Sequence, residues 1–324
     1  MRLIDMTDPA IHEVKTCQFS KLSPLPFDNA CITIGNFDGV HLGHQAIINR
    51  MVYEAKADQR PVVVITFFPD PADYFQHGKL SNYLSSPKEK EDFLLSMGVD
   101  KVITFEFDQE FANLSPEDFL KALKEKCGLQ TLVVGHDFAL GKGRAGTIPV
   151  IEALGETLSF VVKVIPPVES EQEEISSTRI RQLLEEGDVV KAADQLGRPY
   201  SITGLVTHGS DRGARIGLPT ANLDQWRKKQ LPAIGVYATQ VELKGKTYQG
   251  ITNLGYRPTF ESQDAPNMET HILEFDGNIY GERLVLNFIE KIRDEQKFAG
   301  VEEFLAQIER DKSTARRIFT HVKS

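Results

Sequence analysis

The chain has 324 residues, 41% hydrophobic and 26% charged, which is ordinary for a globular protein and long enough for two domains. A formal net charge of −9 leaves no basic footprint for nucleic acid or an anionic membrane, so small molecules are the partners expected. No stretch is apolar for long enough to span a bilayer, acids stand where a signal peptide would carry its apolar core, and Cys17, Cys31 and Cys127 lie far apart without metal or redox spacing; a cytoplasmic protein with incidental thiols is expected.

The first predicted element is a short apolar strand, Ala30 to Ile34, which empties into Gly35-Asn36-Phe37-Asp38-Gly39-Val40-His41-Leu42-Gly43-His44. Beyond this run Ala46, Ile47, Met51 and Ala55 recur at helical spacing. A helix starting near His41 presents unpaired backbone N–H groups and the positive end of its dipole, a setting that favours an anion. Gly39 and Gly43 let that anion approach the backbone, and His41 and His44, three apart, share one face where both can donate to the same phosphate. Two plainer readings stand beside this one: histidines that satisfy a helix start, and an HxxH metal pair with Asp38. With the preceding GNFDG, the run resembles the signature of the HxGH nucleotidyltransferases, which transfer a nucleotidyl group from a nucleoside triphosphate to a phosphate acceptor and release pyrophosphate.

Strands then alternate with helices: strand 62–67, helix 87–97, strand 102–105, helix from Ser115, strand 132–134, helix 148–154 and strand 161–165. Such alternation predicts a parallel sheet covered on both faces, with ligands at the carboxyl ends of its strands. Gly141 to Gly146 matches GxGxxG by letter, but it does not directly follow the first strand, and a flexible basic loop over phosphates or a plain surface loop is the better reading than a dinucleotide site. Ile175-Ser176-Ser177-Thr178-Arg179-Ile180-Arg181 reads as a capped helix start, taken alone an ordinary N-cap, whose hydroxyls and Arg181 can also make a second anion site. The first domain is placed at 1–186 and a linker, including a helix from Asp188 to Leu196, at 187–199.

From Tyr200 the pattern changes to short strands, 202–208, 236–243, 247–254, 268–275 and 283–292, with tight-turn signals at Lys244-Gly245-Lys246 and Asp276-Gly277-Asn278. A small antiparallel barrel with a terminal amphipathic helix is expected over 200–324. Residues 204–222 are glycine-rich and basic, so they are read either as a phosphate cradle or as a turn-rich connection. Thr220 and Asn222, two apart, can together offer oxygen to Mg²⁺. Alternation sets Glu269 and His271 on one strand face; if that face looks into the barrel, Glu269 is desolvated and suited to accept a proton, the alternative being a strand-end glutamate in solvent.

Taken in order, GNFDGVHLGHQ, VGHDF, ISSTRIR, HGSDRGARIGLPTAN, PAIGVY, NLGYRPT and ETHILEFDGNIYGE resemble the bacterial bifunctional riboflavin kinase/FMN adenylyltransferases (FAD synthetases) over nearly the whole chain. The resemblance implies an N-terminal Rossmann-like α/β nucleotidyltransferase domain and a C-terminal riboflavin kinase barrel, with ATP as co-substrate, Mg²⁺ as cofactor, and riboflavin, FMN and FAD as the flavins handled. By the same resemblance, His41 and His44 stabilise charge during adenylyl transfer. Gly35, Asn36, Phe37, Asp38, Gly39, Gly43, Asp137, Ser177, Thr178 and Arg181 join them around ATP. In the kinase half it implies Glu269 as base, Thr220 and Asn222 on Mg²⁺, and Gly204, His208, Gly209, Arg212, Gly213, Gly217, Pro219 and Arg293 around ATP and flavin. Two departures fall in the first half: Phe68-Pro69-Asp70-Pro71 where the family often has Phe-Pro-His-Pro, and Ala139-Leu140 where a polar residue and an aromatic are usual.

Overall fold

The computed structural model describes residues 16–76, 82–166, 169–170, 173–209, 218–256 and 266–322. The chain divides into two compact units, Met1–Ser177 and Thr178–Ser324.

In the first unit, β1 (Thr16–Cys17), β2 (Ala30–Ile34), β3 (Val62–Phe68), β4 (Lys101–Glu106) and β5 (Leu129–Gly135) are followed by a two-stranded antiparallel pair, β6 (Ala139–Leu140) and β7 (Gly146–Thr147), and then by β8 (Val161–Ile165). Six of them form one sheet in the order β1-β4-β3-β2-β5-β8, every pair parallel. Alternate residues of these strands feed two cores. Ile32, Ile65 and Leu132 pack with Phe119, Leu120 and Leu123 of the helix Pro116–Cys127. Cys31, Val64 and Val133 pack with Ile48, Met51 and Ala55 of the helix Leu42–Ala57. Burial on both faces explains why the strands read as near-continuous apolar runs. The order reverses between β2 and β5, and an open α/β sheet has its ligand crevice at that switch, outside the carboxyl ends. A further small antiparallel pair, β9 (Glu169–Ser170) and β10 (Glu173–Glu174), follows.

The helices Ser177–Glu186 and Val189–Leu196 run almost entirely within the second unit. The latter is capped by Asp188 and stopped by left-handed Gly197. Strands β11 (Tyr200–Thr207), β12 (Ala221–Gln225), β13 (Gly235–Leu243), β14 (Lys246–Gly255), β15 (Asn267–Ile272) and β16 (Arg283–Arg293) close into an antiparallel barrel, β11-β12-β15-β14-β13-β16. The helix Val301–Val322 covers part of its outside, where Ala315, Ile318 and Phe319 meet Val236, Ala238 and Ile251. The opposite parity faces the lumen, which carries a line of hydroxyls: Thr239 to Thr252 at 2.8 Å and Thr252 to Thr270 at 2.9 Å. Each of these three threonines is fully buried.

Two expectations are corrected here. The strand β12 was absent from the strands predicted, since its Ala-Asn-Leu-Asp-Gln sequence lacks β-branched residues and follows a glycine-rich run. The strand β15 ends at Ile272 rather than Phe275, and of the two settings left open for the Glu269 face the lumen is taken instead by Met268, Thr270 and Ile272. Among the described residues no helix is long and apolar enough to cross a membrane.

Candidate active sites

The decapeptide leaves β2 at the switch point and turns sharply. Phe37 holds a left-handed backbone (φ 53°) and is 2% exposed; a Cβ on Gly35 would stand 2.9 Å from its ring, so only glycine lets the ring fold back. His41 caps the helix Leu42–Ala57, its Nδ1 accepting the His44 N–H at 3.4 Å, which leaves the proton on Nε2. The two imidazoles stack at 3.7 Å and 21°, and the Phe37 ring meets His44 edge-on at 5.1 Å. Gly43 makes room for the His41 ring, which lies 3.2 Å from where a Cβ would be. Burial, then His41 and the Lys90 ammonium, hold the His44 pKa well below the usual imidazole range, so His44 is neutral at physiological pH. Its Nδ1 is buried without a hydrogen-bond partner among the described residues.

Asp38 braces the turn. Its carboxylate accepts the N–H groups of Leu84 (3.0 Å) and Ser85 (3.1 Å), and Gly39 N–H reaches Ser85 Oγ at 3.1 Å. That direction takes Asp38 away from a metal pair with the histidines. Ser177 Oγ donates to the Asp38 carbonyl at 2.9 Å. Asp137 stands just beyond β5 with Oδ1 folded 3.3 Å from the Cβ position of Gly135, while Arg144 donates to its carbonyl at 3.1 Å. The GxGxxG letters fall on β7 and on the tight turn joining it to β6, not on a strand-to-helix crossing. Thr178, exposed, and Arg181, half-buried, lie on the helix Ser177–Glu186.

Sequence reasoning missed Lys90 and Tyr83 and noticed Asp70 only as a departure. Asn36 Nδ2 donates to Asp70 Oδ2, and the Asn36 carbonyl accepts from Thr66 Oγ1 (2.9 Å) and Lys90 Nζ (2.8 Å). Asp70 N–H donates to the Tyr83 hydroxyl at 3.0 Å. Burial raises the Asp70 carboxyl above its usual range and lowers the Lys90 ammonium to about 8. The lysine was hidden in a charged run, Lys88 to Glu91, which reads as a solvated helix face.

On the barrel, β12, β15 and β14 set Asn222, Glu269 and Asn253 in one cross-strand row on the outer face. Asn267, two residues before Glu269, donates from Nδ2 to Glu269 Oε1 (2.7 Å) and to Asn222 Oδ1 (3.4 Å), so one amide gathers the carboxylate and the amide oxygen. Glu269 is half-buried there, neither in the lumen nor in open solvent. Thr220, also half-buried, precedes β12, and Pro219 is fixed by a 2.8 Å contact between its carbonyl and His271 Nδ1. Gly209 lies against Asn222, whose Nδ2 would be 2.1 Å from a Cβ there. His208 stacks on Tyr280 at 3.8 Å. Gly204 is buried within β11, where β12 passes so close that a Cβ would be 2.8 Å from the Asp224 carbonyl. The Arg293 guanidinium is engaged bidentately with Asp311, 1% exposed, at 2.8–3.1 Å. Arg212, Gly213 and Gly217 lie outside the described residues.

A parallel sheet with stacked histidines at its switch point, followed by a closed barrel with a polar cross-strand row, defines a two-unit chain with a candidate site on each unit. Residues 25–179 match the family model described as FAD synthetase and residues 196–319 the one described as riboflavin kinase. The chain belongs to the bifunctional riboflavin kinase/FMN adenylyltransferase family. It is 37% identical over 300 residues to the member from Escherichia coli (strain K12), covering 92% of this chain and 95% of that one. It is 35% identical over 297 residues to the member from Bacillus subtilis (strain 168), covering 90% and 93%. A crystal structure titled a macrolide-efflux protein from Streptococcus pneumoniae has a similar fold (TM-score 0.85, 31% identity), covering 93% of this chain and 98% of that one.

Proposed function

We propose that the chain makes FAD from riboflavin in two ATP-dependent steps, each on its own unit, within the cytoplasm. The observation that supports this reading is the presence of two chemically distinct polar clusters: the His41–His44 stack at the sheet switch and the Asn222–Asn267–Glu269 group on the barrel.

In the first step the riboflavin 5′-hydroxyl attacks the γ-phosphorus of ATP; the new O–P bond forms as the bond to ADP breaks, and Glu269 takes the hydroxyl proton. Thr220 and Asn222 are the residues that would hold Mg²⁺, whose positive charge draws electron density from the phosphates when bound. The Asn222 oxygen, brought beside the Glu269 carboxylate by Asn267, fits that hard-donor requirement. Gly209 lies against Asn222, His208 stacks on Tyr280, and Arg293 contributes by anchoring the end of β16 to the terminal helix.

In the second step an oxygen of the FMN phosphate attacks the α-phosphorus of another ATP, and pyrophosphate leaves. Neutral His44, and His41 with its proton on Nε2, donate hydrogen bonds to the charge that grows on the α-phosphoryl oxygens. Ser177, Thr178, Arg181 and Asp137 are assigned to ATP. No covalent intermediate is required, so positioning and electrostatics supply the rate. Incubation with riboflavin, ATP and Mg²⁺, followed by separation of the flavins, tests the reading. FMN and FAD are expected in succession, and recovery of riboflavin alone would refute it.

A further inference from the structure

Lys90 sits in the helix Pro87–Ser96, two positions from Lys88 and Asp92, which pair with each other nearer the surface. Yet Lys90 is only 5% exposed. Lysine is almost never this buried unless something compensates its charge, because removing an ammonium from water costs several kcal/mol. The compensation is specific. Nζ donates to the Asn36 carbonyl and to Thr66 Oγ1, each at 2.8 Å, and the Thr66 hydroxyl itself donates to that same carbonyl at 2.9 Å. The knot therefore joins three elements, with β3 and the helix Pro87–Ser96 converging on one peptide of the turn that leads from β2 to His41. On the other side of that residue, the Asn36 amide is tied to Asp70 and its Oδ1 is buried with no partner among the described residues.

We infer that Lys90 is a positioning residue for adenylyl transfer: through the Asn36 carbonyl it fixes the turn that presents the stacked His41–His44 pair, and it sets a positive charge beneath the phosphate-binding surface. The inference rests on the adenylyltransferase reading of the first unit. A purely structural filler at this depth would be apolar, since a well-packed hydrophobic side chain is commonly as stable as a buried ion or more so. The titratable and charged groups that face Lys90 are Asp38 in the turn, Asp70 capping the short helix Pro71–Phe75, and His44 on the helix Leu42–Ala57. The two carboxylates favour the ammonium while burial opposes it, and the balance of about 8 leaves Lys90 charged at pH 7. The ammonium in turn disfavours a second cation on His44. As pH rises through about 8 the charge disappears, and with it the strongest donor to Asn36.

The test uses the full chain and Lys90→Met, Lys90→Arg and Thr66→Val variants. FAD formation from FMN and ATP is followed from pH 6 to 10, alongside riboflavin phosphorylation and thermal unfolding. Lys90→Met is expected to lower kcat for adenylyl transfer roughly 100-fold, with KM for ATP within about threefold, as for loss of a preorganised electrostatic group. Thr66→Val is expected to lower it at least about tenfold, because it removes both the bond to the Asn36 carbonyl and the bond accepted from Lys90 Nζ. Lys90→Arg should keep most of kcat and lack the alkaline decline expected near pH 8 for the unsubstituted chain, because guanidinium stays protonated. Riboflavin phosphorylation should be unaltered in all three. The inference is overturned if Lys90→Met keeps the original kcat and pH profile, or if Lys90→Arg retains the decline near pH 8. Should Lys90→Met not fold, Lys90→Arg and Thr66→Val decide, and unaltered profiles in both overturn it. Absence of FAD formation by the unsubstituted chain would instead overturn the activity on which the inference stands.

Discussion

Asn36 and Asp70, far apart in sequence, meet through their side chains: the Asn36 amide donates to the Asp70 carboxylate, joining the turn after β2 to the turn after β3. The Asp70 that departs from the family's Phe-Pro-His-Pro pattern is thus built into the signature turn rather than standing apart from it.

Because burial raises the Asp70 carboxyl, its charged form is disfavoured in the folded chain. A carboxyl raised on folding contributes stability below its unfolded pKa, and that contribution is lost as pH rises through the folded value. Asp70→Asn removes the ionisable group and keeps an oxygen for the Ala72 N–H that Asp70 Oδ1 now caps, while its new amide meets Asn36, whose unpartnered Oδ1 can turn to accept from it. It is therefore expected to raise the thermal midpoint of the first unit at pH 7, with the gain vanishing near pH 4. A lower midpoint at pH 7 would show that the charge is stabilising.

His41→Ala removes both the cap of the helix Leu42–Ala57 and one of the stacked rings. FAD formation from supplied FMN should fall by about 10²–10³-fold, the usual loss for a preorganised donor to transition-state charge. Riboflavin phosphorylation should continue, and an unchanged FAD yield would remove His41 from the chemistry.

Gly209→Ala would put a Cβ 2.1 Å from Asn222 Nδ2, so the amide or the backbone must move. The expected result is a loss of riboflavin phosphorylation of at least about tenfold, as misplacement of a positioning group can cost far more. FAD formation from FMN should be untouched. Equal kinase rates in the two proteins would place Asn222 outside the reaction.

Asp311→Ala leaves the Arg293 guanidinium, mostly buried, without its carboxylate. Breaking a buried pair from one side typically costs about 3–5 kcal/mol, and a denaturant titration of the barrel unit should show a loss of that order. A loss under about 1 kcal/mol would mean that the pair behaves as a surface contact.

The parallel sheet was legible because strands buried on both faces announce themselves as apolar runs, as Val62 to Phe67 do, and because glycines and histidines after Ile34 mark a phosphate-binding turn. The stacking of His41 on His44 follows from their spacing on a helix start. Lys90 was not legible, since burial of one lysine in a charged run depends on where β3 ends, which local pattern does not encode. The face of Glu269 was ambiguous for a related reason: alternation separates two faces of β15 but does not say which one the barrel closes around. Asn267 could have been found from its position two residues before Glu269, on the same face.

The claim that two independent sites share this chain is tested most directly by Glu269→Gln, assayed for both reactions in one preparation. The account predicts that FMN formation from riboflavin drops by about 10²–10⁴-fold, the contribution of a general base, while FAD formation from supplied FMN proceeds at the original rate. Loss of both activities in a protein that unfolds as cooperatively as the original, or retention of both, would contradict it.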